Sequence, residues 1–376
     1  MKYYNKNRFF IKWWRSVDQQ TIIAISILMS FSILLVATTS ASTSEKLELS
    51  NNHFALKQII FLIISSALLL ILSSVTIEYI KTLSVIGLIL SIIALILVKI
   101  YGYEAKGATR WIKIAGFSFQ PSEFMKPCFT VVSGWILSLR EYLGTGIIKI
   151  CILLYCIIAT LLISQPDFGM LVLISITFII QLFISGLPII WVLFSCIISL
   201  LGIIFTYLLL PHVRVRIDNF LNPITNTNYQ TTKSILAFQH GGLYGKGIGE
   251  GLVKQKLPDA HTDFIFAVAG EEFGAIICTA IIAVFAFIVL KNLVKINNIN
   301  NQFIQLAGIG IISQFGLQAI INIGVSINLL PTKGMTLPFI SYGGSSTIST
   351  GVALSILLGL TKKRTSSSFI KKNISS

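Results

Sequence analysis

The chain is dominated by a succession of uncharged apolar blocks, each about as long as the 17–25 residues with which an α-helix crosses a bilayer. Inside hydrocarbon the backbone finds no water, so such blocks must fold as helices that satisfy their own polar groups. About ten can be read, at roughly 20–40, 55–76, 80–101, 121–139, 147–164, 169–186, 188–210, 263–290, 303–325 and 344–361. The implied fold class is all-α: a polytopic integral membrane protein of about ten transmembrane helices with a large outer loop. Only 11% of the 376 residues are charged, against about a quarter in soluble domains. The expected organisation is a basic, aromatic cytoplasmic tail over 1–19, one membrane domain over 20–361 with its outer loop at 211–262, and a basic cytoplasmic tail over 362–376.

An even number of spans puts both tails on one side. Each carries five Lys/Arg: Lys2, Lys6, Arg8, Lys12 and Arg15, then Lys362, Lys363, Arg364, Lys371 and Lys372. The positive-inside rule places both in the cytoplasm. The basic start, the apolar run Thr21–Ala37 and the small residues TTSAS also fit a cleaved signal peptide. An uncleaved first span is preferred, because many spans follow and the basic stretch is long. The net charge of +15 does not point to nucleic acid, since the basic residues sit in short loops and tails between apolar spans. Membrane lipids or an anionic substrate account for it better. The outer loops at 101–120 and 211–262 are basic too, against the rule, and an anionic ligand is one cause.

The five cysteines, Cys128, Cys151, Cys156, Cys196 and Cys278, have no metal-site spacing and read as small core residues. His53, His212 and His240 have no companions at ligand spacing and read as loop residues.

Five polar segments interrupt the apolar pattern. In GATRWIKIAGFSFQPSEFMK (107–126), Arg110 and Lys113 flank Trp111, and Pro121 can start a helix with Glu123 in its first turn. Glu123 and Lys126 are three apart and share a helix face. A charge inside the start of a span normally points into a cavity, although an interfacial belt with a local ion pair is the plainer reading. SQPDFG (164–169) has the residues of a tight turn around Asp167. HGGLYGKGIGEG (240–251) is neither GxGxxG nor a P-loop, and reads as a flexible Gly-rich loop.

LPDAHTDFIFAVAGEEFG (257–274) places Asp259, His261, Asp263, Glu271 and Glu272 at the mouth of a span. Asp263 can cap a helix or act as a base at the membrane surface. Glu271 and Glu272 lie two to three turns further on and suit hydrogen bonding inside the bundle. The last outer segment, LLPTKGMTLPFISYGGSS (329–346), holds the isolated Lys333 and reads as a membrane-capping loop. Just before it, Gln314, Gln318 and Asn322 recur every four residues as an amide stripe suited to helix–helix hydrogen bonding.

Together GATRWI…FQPSEFMK, QPDFG, LPDAHTDFIFAVAGEEFG and LPTKGMTLPFISYGGSS resemble, in order, the signature segments of the SEDS family (shape, elongation, division and sporulation) over about residues 21–360. The Thr-Lys-Gly of the last motif resembles the division branch rather than the elongation branch. The resemblance implies a peptidoglycan glycosyltransferase with ten transmembrane helices. Such enzymes polymerise lipid II, a disaccharide-peptide on undecaprenyl pyrophosphate, into a growing glycan strand at the outer, periplasmic face of the bacterial cytoplasmic (inner) membrane. It implies work at the septum with a class B penicillin-binding protein transpeptidase (FtsI-like) and other division proteins. The family's essential aspartate matches Asp263, and its other functional positions match Glu123, Lys126, Asp167 and Lys333. Three departures stand out: Asp259 replaces the usual Glu, Asn328 replaces a frequent Gly, and GEGLVKQ (249–255), before the LPDAHTD motif, is less typical.

These readings combine in one chemical expectation. Asp263 is the base for an attacking sugar hydroxyl. Arg110, Lys126 and Lys333 stabilise the departing pyrophosphate, with a divalent cation as a conceivable assistant. Glu123 holds Lys126, and Asp167 orients a cation or binds sugar hydroxyls. The competing readings are a lipid II flippase, since intramembrane charges also mark transport paths, an elongation polymerase, and a non-catalytic division scaffold.

Overall fold

The computed structural model describes residues 11–46, 50, 52–105, 108–114, 117–209, 214–215, 218, 229–331 and 334–363. Lys333, most of 210–228 and the outer parts of both tails lie outside the described residues.

A helix lies on every one of the predicted spans. In chain order these are α1 (Gln19–Lys46), α2 (His53–Ser74), α3 (Ile77–Tyr101), α4 (Pro121–Ser138), a short α5 (Arg140–Leu143), α6 (Gly146–Ser164), α7 (Phe168–Ile184) and α8 (Ile189–Leu209). They continue with α9 (Tyr229–Gly241), α10 (Ile265–Asn297), α11 (Gln302–Ser326) and α12 (Gly344–Leu360). By length and composition Gln19–Ser40, α2, α3, α6, α10 and α11 are apolar enough to cross a membrane, and α7 and α12 are shorter apolar helices. Besides the short α5 between two predicted spans, two further features were not anticipated. The large outer loop contains α9, and 103–119 folds into a three-stranded antiparallel sheet of β1 (Tyr103–Ala105), β2 (Ala108–Ile114) and β3 (Phe117–Phe119).

Burial inverts the pattern of a soluble bundle. In α2 the apolar Leu56, Ile60, Ile63 and Ile71 face outward, whereas Gln58, Ser65 and Ser73 are buried. This is the arrangement expected where the solvent is lipid and polar groups join helices. α11 sits at the centre, with 72% of its apolar window buried against 28% for α2. Small residues bring the inner helices together. A methyl group on Gly134 of α4 would meet Ala307 N of α11 at 2.8 Å, and one on Gly351 of α12 would meet Ser65 Oγ of α2 at 2.0 Å. Gln181 of α7 ties three helices: it donates to Thr130 O (2.8 Å) and Leu306 O (3.0 Å) and accepts from Ser133 Oγ (2.7 Å).

At one end of the bundle the two tail stems meet, Lys363 N donating to Ser16 O at 2.9 Å. There Asp18, just before α1, takes hydrogen bonds from Lys291 and Lys295 at the end of α10. The described parts of the five polar segments gather at the opposite end.

Both single-residue departures from the family pattern adopt left-handed backbone. Asp259 has φ +55° and Asn328 φ +58°. Asn and Asp tolerate this region best after Gly. Asn328 ends α11 there, while Leu329 N reaches back to Gly324 O at 2.7 Å.

Candidate functional site

Pro121 starts α4 at its first turn, where a missing N–H costs nothing. That start sets Glu123 and Lys126 one turn apart. Both are buried, and Lys126 Nζ lies 2.7 Å from Glu123 Oε2, an ion pair whose angle is poor for a hydrogen bond. Lys126 Nζ also donates to Gln318 Oε1 of α11 at 2.8 Å. The Gln318 amide then donates to Thr336 O at 3.0 Å. A buried ammonium needs both a countercharge and a directed acceptor, and these two partners supply them.

One turn along α11, Asn322 Nδ2 donates to Asp263 O (2.9 Å) and Met335 O (2.6 Å). Gln318 and Asn322 therefore hold the 334–336 segment and the 259–263 turn to one face of α11. The stripe joins helix to helix as expected, Gln318 of α11 meeting Lys126 of α4, and it also ties α11 to two loops. Its four-residue spacing was the signal that these residues belong to the site.

Asp263 is partly exposed and precedes α10, whose N-cap is Phe264 rather than Asp263. Its turn is built on Asp259 O, which accepts from Thr262 N (3.1 Å), Asp263 N (3.1 Å) and Phe264 N (3.3 Å). A methyl group on Gly334 would lie 3.4 Å from Asp263 Oδ2, so the backbone beside Lys333 passes directly over the carboxylate. Ser341 Oγ donates to Thr262 O (2.6 Å), and Tyr342 N donates to His261 O (2.9 Å). The His261 ring packs against both Phe54 (4.9 Å) and Tyr342 (5.6 Å), which also touch each other (5.1 Å).

Arg110, on β2, reaches the QPDFG turn. Its Nε donates to Gln165 O at 3.1 Å, its Nη2 donates to Pro166 O, and its Nη1 lies 3.8 Å from Asp167 Oδ1. Asp167, buried before α7, also accepts from Gln120 Nε2 and Ser122 Oγ, both at 3.3 Å. The described candidates thus join through intermediates: Arg110 to Asp167, Asp167 to Ser122 beside Glu123, Lys126 to Gln318, and Asn322 to Asp263. The remaining candidate, Lys333, lies outside the described residues.

Glu271 and Glu272 are buried but serve a neighbouring structure. α10 breaks at Gly274, which has φ +77°. The broken turn is repaired by the Gly-rich segment: Ala275 N and Ile276 N donate to Gly242 O (3.0 Å) and Leu243 O (3.3 Å), and Lys246 N and Gly247 N donate to Glu271 O and Glu272 O (both 3.0 Å). Glu271 accepts from Val253 N and Lys254 N (both 2.8 Å) and lies 3.1 Å from His240 Nδ1. Glu272 pairs with Lys254. The flexible-loop expectation is therefore corrected. Gly241 and Gly245 are required by close approach, since methyl groups there would lie 2.0 Å from Gly270 O and 2.2 Å from Glu272 O. His240, expected in a loop, is helical and faces Glu271.

A small cavity beside Lys126 is lined also by Gln314, Gln318, Phe315, Ser349 and Thr350. Among the described residues no three His, Cys, Asp or Glu side chains converge as metal ligands.

The family model described as cell cycle protein, covering FtsW, RodA and SpoVE, matches residues 18–366. The chain is 40% identical over 355 residues to the probable peptidoglycan glycosyltransferase FtsW of Caulobacter vibrioides, covering 94% of this chain and 91% of that protein. It is 36% identical over 359 residues to the same-named protein of Idiomarina loihiensis, covering 92% and 87%. Its fold is similar to a chain from a structure described as structural coordination of polymerization and crosslinking by a peptidoglycan synthase complex (TM-score 0.77, 23% identity, 93% and 98% covered). It is also similar to the rod shape determining protein RodA of Thermus thermophilus (TM-score 0.67, 21% identity, 93% and 97% covered).

Proposed function

The chain belongs to the FtsW/RodA/SpoVE family of cell cycle proteins, and from that premise we propose that it is a peptidoglycan glycosyltransferase of septal wall synthesis, polymerising lipid II into glycan strands. The observation that carries the site assignment is the seating of Asp263. Its carboxylate is partly exposed beneath the Gly334 backbone, while its main chain is fixed to α11 through Asn322.

In the reaction, an acceptor sugar hydroxyl attacks the anomeric carbon of a lipid-linked donor. The new C–O bond forms as the bond to the pyrophosphate breaks, and undecaprenyl pyrophosphate leaves with the electron pair. Asp263 takes the hydroxyl proton. Arg110 is a partly exposed cation whose guanidinium is oriented by Gln165 O, Pro166 O and Asp167. It and Lys333 stabilise the charge developing on the leaving group. Lys126, sealed between Glu123 and Gln318, holds the α4 face and the 334–336 segment in place. Fixed partners of this kind spare reorganisation at the moment of reaction.

The proposed setting is the bacterial inner membrane at the septum. Ten crossings put both tails in the cytoplasm and the site at the outer face. A class B penicillin-binding protein transpeptidase crosslinks the strands that this chain makes.

The test is polymerisation of purified lipid II by the protein with its transpeptidase partner, comparing Asp263→Ala and Asp263→Asn with wild type. Both variants are expected to melt like wild type and make no glycan strands. Normal strand formation by either would remove Asp263 as the base. Lipid scrambling without polymer from the wild type would turn the assignment to a flippase.

A further inference from the structure

We infer that the Gly-rich segment 242–252 is an interfacial membrane anchor, seated among outer-leaflet lipids at the boundary between acyl chains and headgroups. The segment is rigid, because its backbone completes the broken turn of α10 and Glu271 and Glu272 fasten its return. Yet it leaves large apolar side chains uncovered: Leu243, Tyr244, Ile248 and Leu252 are 64%, 81%, 61% and 63% exposed. Lys246 and Glu250 are exposed on the same turn. A fixed backbone that presents Leu, Ile and Tyr beside charged groups has the composition of a surface lying in the interface.

Two rulers place it there. At the inner end, Asp18 binds Lys291 and Lys295. Along α1, Thr38 is twenty residues from Asp18, about 30 Å at 1.5 Å per residue, and its carbonyl accepts from Nζ of Lys254, two residues beyond the segment. Along α10, Ala275 is twenty residues from Lys295, again about 30 Å, and its N–H is bound by Gly242. Both distances equal the thickness of the hydrocarbon core, about 30 Å. The segment therefore sits at the outer edge of that core. Its apolar side chains enter the acyl region while the Lys246 ammonium is level with lipid phosphates. Through Glu271 and the first turns of α10, the same seat fixes the height of Asp263 above the bilayer.

The experiment uses the full chain in nanodiscs of phosphatidylethanolamine and phosphatidylglycerol. Its native cysteines are replaced, and a nitroxide is placed at Leu243→Cys, Ile248→Cys or, as an exposed control, Lys256→Cys. Melting profiles first establish that each variant is folded. The expected result is several-fold lower collision with a water-soluble nickel reagent at 243 and 248 than at 256, with higher collision with oxygen. Equal nickel access at all three positions would overturn the proposal. So would protection at 243 and 248 that develops only when a partner protein is added, which would make the patch a protein-docking surface.

Discussion

Asn322 donates to the main-chain carbonyl of Asp263 at 2.9 Å and, with the same nitrogen, to that of Met335 at 2.6 Å. One side chain of the central helix thereby sets the distance between the proposed base and the loop segment beside it. Replacing it by Leu keeps the volume but leaves both carbonyls without their donor, a cost of about 1–3 kcal/mol. A displacement near 1 Å at a reacting group costs on the order of a hundredfold in rate. Asn322→Leu is therefore expected to keep lipid II binding and lose turnover, measured by binding and single-turnover polymerisation on the same preparation. A weakened affinity with normal turnover would contradict a positioning role.

The Glu123–Lys126 pair gives a stability prediction. Glu123→Ala strands a buried ammonium and is expected to cost about 3–5 kcal/mol, read as a lowered melting temperature in nanodiscs. The double variant Glu123→Gln, Lys126→Met removes both charges and should recover most of that loss. It should still fail to polymerise, because Gln318 then has no ammonium to hold. A double variant as unstable as Glu123→Ala would refute this account.

Neighbouring glycines in the segment that repairs α10 should differ sharply. Gly242 has φ +59° and open space around its α-carbon, so Gly242→Ala meets only backbone strain, about 1 kcal/mol. Gly241→Ala would drive a methyl group to within 2.0 Å of Gly270 O, which requires the segment to leave its seat. Hydrogen exchange of 242–252 is expected to accelerate in Gly241→Ala and to change little in Gly242→Ala.

Asp18 supplies a pH dependence. Burial acts to raise its pKa, but hydrogen bonds from Lys291 and the Thr21 N–H, with the charges of Lys295 and Lys291, outweigh it and hold the carboxyl below its ordinary value. A lowered folded pKa contributes stability that is complete above the unfolded value, about 3.9, and that disappears as pH falls through the folded one. Asp18→Asn should therefore lower the melting temperature at neutral pH. Discounted for the solvent that reaches the lysines, the loss is on the order of 1 kcal/mol. The gap from wild type should close as the pH is taken below the carboxylate range. A gap that persists there would show that the variant acts through something other than the charge.

Much of the architecture was legible before any coordinates. The helices α2, α6 and α11 lie within a few residues of their predicted spans, because uncharged runs of membrane-crossing length admit little else. The Glu123–Lys126 pair was legible from a three-residue spacing, since neighbours on one helix face are a local property. The β-sheet at 103–119 escaped notice: its strands are three, seven and three residues long, and the loop is rich in charge and glycine. The glycines at 241 and 245 were misread as slack, because sequence does not say whether a missing side chain serves flexibility or close contact.

By itself, then, the sequence determined where the chain crosses hydrocarbon, which residue types face chemistry, and that Asp263, Glu123, Lys126 and Asp167 stand at the mouths of spans. Those properties follow from periodicity, bilayer thickness and the cost of burying charge, all of which act locally. Only the tertiary structure decided the partners. Lys126 meets Gln318 across 192 positions, Asp263 meets Asn322 across 59, and Arg110 reaches Gln165 across 55. It likewise decided that Gly242, Leu243, Lys246 and Gly247 complete a helix broken at Gly274. Such contacts arise where packed helices bring distant polar groups to one face, and no spacing along the chain encodes them.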